Sequence, residues 1–170
     1  AWIGDPISIG GRTVRLAVFD INKSGGRLAW DHFFPGRPSP WLVDYTEDRD
    51  LWRWKLPESR QINAALRSYP LNFEQWDRFG DDTFTPYILE PEGRAILRRD
   101  QQIMDEHVSH AREITLDGHK VLCVNATVLI SEIAGELAKG RLFGACWFER
   151  QDGKRQWSLR SDDNGLDVSG

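Results

Sequence analysis

Two Asp-Gly dipeptides, Asp117-Gly118 and Asp152-Gly153, constrain this chain more than any other feature. Each lies between two strand-like runs, and Asp-Gly suits a tight β-hairpin turn because both residues tolerate positive φ. The first joins 112–116 to 120–125; the second joins 142–150 to 154–160. Between the hairpins, 127–138 carries Leu129, Ile133 and Leu137 at helical spacing, and Gly140 closes that helix. Strand, strand, helix, strand, strand is the order of a small α/β module.

Ahead of this module, 90–111 sets Leu97, Met104, Val108 and Ala111 on one helical face among many charges, which predicts a partly exposed connecting helix. The first half reads as mostly helical. Residues 13–20 are predicted to form a buried strand after the Gly10-Gly11 turn. Ser24 caps a helix with Leu28, Trp30, Phe33 and Phe34 on its apolar face, and Pro35-Gly36 stops it. Further helices begin at Trp41, after Pro57 (Ile62, Ala65, Leu66 and Tyr69 inward) and at Asn72. The expected organisation is α/β, with 1–85 as one region, a connecting helix over 86–111, and 112–170 as the second region.

The 26 acidic and 22 basic residues give a net charge of -4, so no global basic field holds long nucleic acid by counterion release. Short or small phosphorylated ligands fit this charge. No run of about 18 apolar residues occurs, and the start has neither a basic nor an apolar leader region. The expectation is therefore a cytoplasmic protein without a membrane partner. Both cysteines, Cys123 and Cys146, fall in apolar strand runs and read as buried, reduced packing residues. Of the eight tryptophans, Trp30, Trp52, Trp54 and Trp147 sit in apolar patterns and are assigned to the core rather than to base stacking. The chain opens without methionine, which fits a segment of a longer protein.

The sharpest acidic cluster is Glu47-Asp48-Arg49-Asp50, with Asp44 one helical turn before Asp48. Hard divalent cations take several carboxylate oxygens, so the cluster is a source of metal ligands. It equally fits a solvated turn whose charges pair with Arg49, Arg53 and Lys55. At the other end, Arg160 offers a planar, permanently charged fork to a phosphate, with Ser158 and Ser161 as hydroxyl donors. Asp162, Asp163 and Asp167 are its alternative partners. His107 and His110 lack the glutamate-flanked pattern of helical zinc motifs and fit a solvated helix face.

Asp20-x3-Ser24-Gly25-Gly26 and the run from Tyr45 through Asp48-Arg49-Asp50-Leu51-Trp52 to Pro57 resemble the fourth conserved block of DHH-family phosphohydrolases. Val124-Asn125-Ala126, Ser131-Glu132-Ile133, the 144–148 strand, Ser158-Leu159-Arg160-Ser161 and Gly165-Leu166-Asp167-Val168-Ser169-Gly170 resemble a DHHA1 domain. The resemblance implies the C-terminal part of a DHH domain, a connecting helix and a truncated DHHA1-like domain. It implies that Asp48, with Asp44 and Asp50 as alternatives, is a ligand of a two-metal Mn2+ (or Mg2+) centre. It makes Arg160, Ser158 and Ser161 the grip on the phosphate of a short oligonucleotide or nucleotide. Apolar surface left exposed by the missing segments predicts self-association, with a homodimer as the expected assembly. The Asp-His-His triplet and the other metal-binding blocks do not occur, since Asp31-His32 is followed by Phe33. Catalysis is accordingly expected of an intact parent and not of this chain alone; the competing expectation is a non-catalytic nucleic-acid or nucleotide-binding module.

Overall fold

The computed structural model describes residues 18–81, 83–162 and 165–168, with the backbone of 2–3, 7–9 and 12–14. It divides into two compact units, Ala1–Leu97 and Arg98–Gly170. Among the described residues no helix is long and apolar enough to cross a membrane.

In the first unit, short antiparallel pairs form between β1 (Trp2–Ile3) and β4 (Val18–Phe19), and between β2 (Ile7–Ile9) and β3 (Arg12–Val14). Of the single buried strand expected over 13–20, the described ends pair with different strands, Thr13 and Val14 with β2 and Val18 and Phe19 with β1. Its residues 15–17 lie outside the described residues, while Val18 and Phe19 are exposed because a two-stranded ribbon does not cover its faces.

Helix α1 (Gly25–Phe33) starts where Ser24 Oγ accepts the Arg27 N–H at 3.1 Å, the predicted cap. The helix buries none of its own residues, so the apolar face expected of Leu28, Trp30, Phe33 and Phe34 stays partly in solvent. The unit's core comes instead from α2 (Trp41–Asp50), α3 (Ser59–Leu66), α4 (Phe73–Gly80) and a 3₁₀ turn at Pro86–Leu89. Tyr45, Ile62, Ala65, Leu66, Phe79 and Leu89 meet there. Buried Asn63 satisfies its amide by donating to the Tyr45 and Ser59 carbonyls at 3.0 and 2.9 Å. Helix α5 (Glu90–Ser109) passes so close to α3 that a Cβ on Gly93 would lie 1.7 Å from the Gln61 carbonyl oxygen.

The second unit has the predicted order. Strands β5 (Arg112–Leu116), β6 (His119–Asn125), β7 (Gly144–Glu149) and β8 (Arg155–Arg160) form one sheet in that order. The two hairpins are antiparallel; β6 and β7 are parallel, joined by α6 (Ile130–Ala138). Asp117 and Gly118 both adopt positive φ, 48° and 79°, as a two-residue hairpin turn requires. Helix α6 begins later than its apolar pattern, because Leu129 sits in the left-handed region at its start.

Val124, Ala126, Ile133, Ala134, Leu137 and Cys146 make the core, with Met104 and Val108 from the last turns of α5 packed on it. Cys123 and Cys146 are free and buried, as expected. Cys123 is opposite Ala145 in the parallel register, so Cys146 projects from the other face of the sheet and the two thiols cannot meet. Burial pushes the Cys146 thiol up to about 12.

Candidate functional site

The acidic cluster lies on α2, and its geometry follows from the helix period. Asp44 and Glu47, three residues apart, share one face and converge on Arg27 of α1. Arg27 Nε donates to Glu47 Oε2 at 2.9 Å, and its other nitrogens reach Asp44 and Ser39. Glu47 also accepts the Ser24 N–H at 3.2 Å. The network is part-buried and joins α1 to α2 by charge where apolar contact is thin. Asp50 is paired with the neighbouring Arg49 at 3.7 Å.

Asp48 has a different role from its neighbours. It is 4% exposed, its Oδ1 accepts the Lys55 N–H at 2.9 Å, and its Oδ2 accepts the Leu56 N–H at 3.3 Å. It is not the solvated, side-chain-paired carboxylate of the alternative reading; both oxygens hold backbone. The segment so held is unusual, for Trp52, Trp54 and Glu58 have φ of 52°, 51° and 53°. Each non-glycine residue in this region costs about 1 kcal/mol or more. The Asp48 carbonyl adds a third restraint by accepting the Arg53 N–H at 2.9 Å.

Arg160 ends β8, the exposed edge strand. Its register partner is Gly144, where a Cβ would press on the backbone of α6, so Arg160 and Ser158 point to the α6 side of the sheet. Arg160 Nη2 donates to Ser131 Oγ, in the first turn of α6, at 2.9 Å; Nη1 donates to the Leu159 carbonyl at 3.3 Å. Of its alternative carboxylate partners, Asp163 lies outside the described residues. Ser158 is half-buried opposite Cys146, and Ser161 follows the strand. The structure therefore brings Arg160 together with Ser131, a residue not singled out as a ligand from the sequence. Asp48 belongs to the first unit, and Arg160, Ser158 and Ser161 to the second.

Sequence reasoning missed the loop after α2. Trp52, assigned to the core, is 54% exposed, because the left-handed turn swings it outward. Trp52 and Trp54 meet edge to face with ring centroids 5.9 Å apart, and the Arg60 guanidinium lies 4.4 Å from the Trp54 ring centroid. The Trp54 indole N–H is buried without an acceptor among the described residues. The alternation Trp52-Arg53-Trp54-Lys55 was the available signal. Half-buried His107 and exposed His110 bond through Nδ1 to the Ile103 and Glu106 carbonyls of α5, both at 2.8 Å.

Uncharacterized protein R106 of Acanthamoeba polyphaga mimivirus is similar to this chain: 25% identical over 162 residues, 91% of the chain. The chain spans 38% of that protein's length. No family model and no solved structure matches the chain.

Proposed function

We propose that this chain grips the phosphate of a short oligonucleotide or nucleotide through Arg160, as the substrate-holding part of a divalent-metal-dependent phosphohydrolase. The observation that supports the grip is Arg160 itself: an exposed guanidinium on an edge strand, steadied by Ser131 Oγ. Its remaining N–H groups suit a phosphate oxygen pair, and Ser158 lies on the same face of β8. A cytoplasmic location and a homodimeric assembly go with this reading.

The metal, Mn2+ or Mg2+, rests on the DHH resemblance and on Asp48. The described carboxylates do not fit a two-metal centre by themselves. Asp48 holds two backbone N–H groups, Asp44 and Glu47 hold Arg27, and no group of three or more His, Cys, Asp or Glu residues among the described residues is placed to share an ion. Ions shared between two sites need several oxygens each. Binding without turnover by the chain alone is thus the expectation, and the same carboxylate geometry favours a second reading, a non-catalytic nucleotide-binding module.

Two assays on the purified chain separate these. Titration of a labelled short oligonucleotide should give saturable binding that Arg160→Ala weakens, with the salt dependence of log K reduced by about one phosphate contact. Hydrolysis of a generic phosphodiester that needs manganese and is lost in Asp48→Asn, a variant that keeps an acceptor for the loop, supports a metal-dependent enzyme. Binding without hydrolysis supports the module. Absence of binding to oligonucleotide and nucleotide alike refutes both.

A further inference from the structure

The 51–57 loop carries two costs that packing does not explain. Trp52 and Trp54 both occupy the left-handed region, where a side chain crowds its own backbone. The Trp54 indole N–H is also buried without an acceptor among the described residues, although buried donors are normally paired. A structural loop would meet the first cost with glycine, yet here the strained position bears the largest side chain and leaves it 54% exposed. Strain that turns an aromatic ring toward solvent is characteristic of a binding loop.

The charges around the ring narrow the ligand. Lys55 and Arg60 have no carboxylate partner among the described residues, and Arg53 donates to the Asn22 carbonyl. Of the nearby carboxylates, Asp48 faces inward and is occupied by backbone, Asp50 is paired with Arg49, and the exposed Glu58 ends the segment. In a chain of net charge -4, the exposed cations Arg53, Lys55 and Arg60 outnumber the exposed carboxylates Asp50 and Glu58 beside this indole. An aromatic platform with cations at its rim is the surface on which an unpaired base stacks while its phosphates are drawn to the rim.

We propose that this loop is a stacking site for an unpaired nucleobase of a single-stranded oligonucleotide, with Trp52 as the stacking ring and the loop cations attracting the adjoining phosphodiester. The ligand class rests on the oligonucleotide reading above; the site is independent of Arg160. Asp48 acts as a positioning residue that holds the loop in its left-handed form.

The test is a fluorescence anisotropy titration of the full chain with two labelled strands of equal length, one an oligothymidylate and one an abasic backbone. The wild type should bind the base-bearing strand about 10-fold more tightly or better. Trp52→Ala should abolish that preference and leave abasic affinity unchanged, while Trp52→Phe retains most of it. Trp52→Gly relieves the left-handed strain, so it should lose the preference without any fall in thermal midpoint, which distinguishes lost stacking from lost folding. Equal affinity of the wild type for the two strands overturns the stacking site alone, as does a preference that survives Trp52→Ala. If neither strand binds, the stacking site and the oligonucleotide reading fall together. Arg160→Ala should weaken both strands in parallel.

Discussion

Asp48 Oδ1 accepts the backbone N–H of Lys55 at 2.9 Å, so a carboxylate near the end of α2 fixes the chain just after two left-handed tryptophans. Removing it leaves the Lys55 and Leu56 donors without their acceptors. Asp48→Ala should destabilise the first unit by about 2–4 kcal/mol, read as a lower urea midpoint by tryptophan fluorescence. Asp48→Asn should cost less, since one oxygen remains; equal stability of the alanine variant and the wild type would show that the loop holds itself.

The Arg27–Glu47 pair calls for a different design, because truncating one partner strands the other. Glu47 has a side-chain exposure of 9% and Arg27 of 19%, and Ser24 shares the carboxylate. Arg27→Ala should lose about 3 kcal/mol. The double variant Arg27→Met with Glu47→Leu should recover most of that loss, as apolar replacement of a buried pair commonly does. A double variant as unstable as the sum of its parts would show that the pair contributes net stability.

Gly144 has no room for a methyl group. A Cβ there would lie 2.3 Å from the Ala134 carbonyl oxygen and 2.7 Å from the Ala138 nitrogen. Gly144→Ala should cost about 3 kcal/mol or more by forcing α6 off the sheet. Circular dichroism melting of the variant measures this directly; an unchanged melt would mean that α6 shifts at no cost.

The cysteines predict a pH dependence. Burial raises the Cys146 pKa from 9.0 to about 12, so the folded thiol stays protonated where the unfolded thiol ionises. The stabilising contribution is complete below pH 9 and is lost as pH rises toward 12, with a slope approaching about 1.4 kcal/mol per unit between them. Cys146→Ala should flatten that part of the stability profile. Thiol-directed reagents at pH 8 should modify the cysteines only after denaturant is added.

The second unit was legible in the sequence because its signals are local. Asp117-Gly118 dictates its own turn, and the apolar period of α6 requires no partner to be seen. Parallel pairing of β6 with β7 follows from a helix lying between them. The first unit was less legible because α1 is fastened by Arg27, Asp44 and Glu47, a long-range network that hydrophobic periodicity does not register. Trp52 was misplaced for a related reason: composition marks tryptophan as core, and only the backbone at positive φ reveals that it points outward. Arg160 was singled out from its motif, whereas Ser131, quoted only as part of the resemblance, became its partner through the fold.

The hydroxyl of Ser131 carries a thermodynamic consequence for any anion that meets Arg160. A free arginine on an edge strand samples many rotamers and must give most of them up on binding, whereas one already tethered by a 2.9 Å bond has surrendered that freedom during folding. Calorimetry on phosphate-bearing ligands would then register a smaller entropic penalty in the native protein than in Ser131→Ala, at nearly equal enthalpy. A hydroxyl that never touches the ligand would set how sharply the protein responds to it.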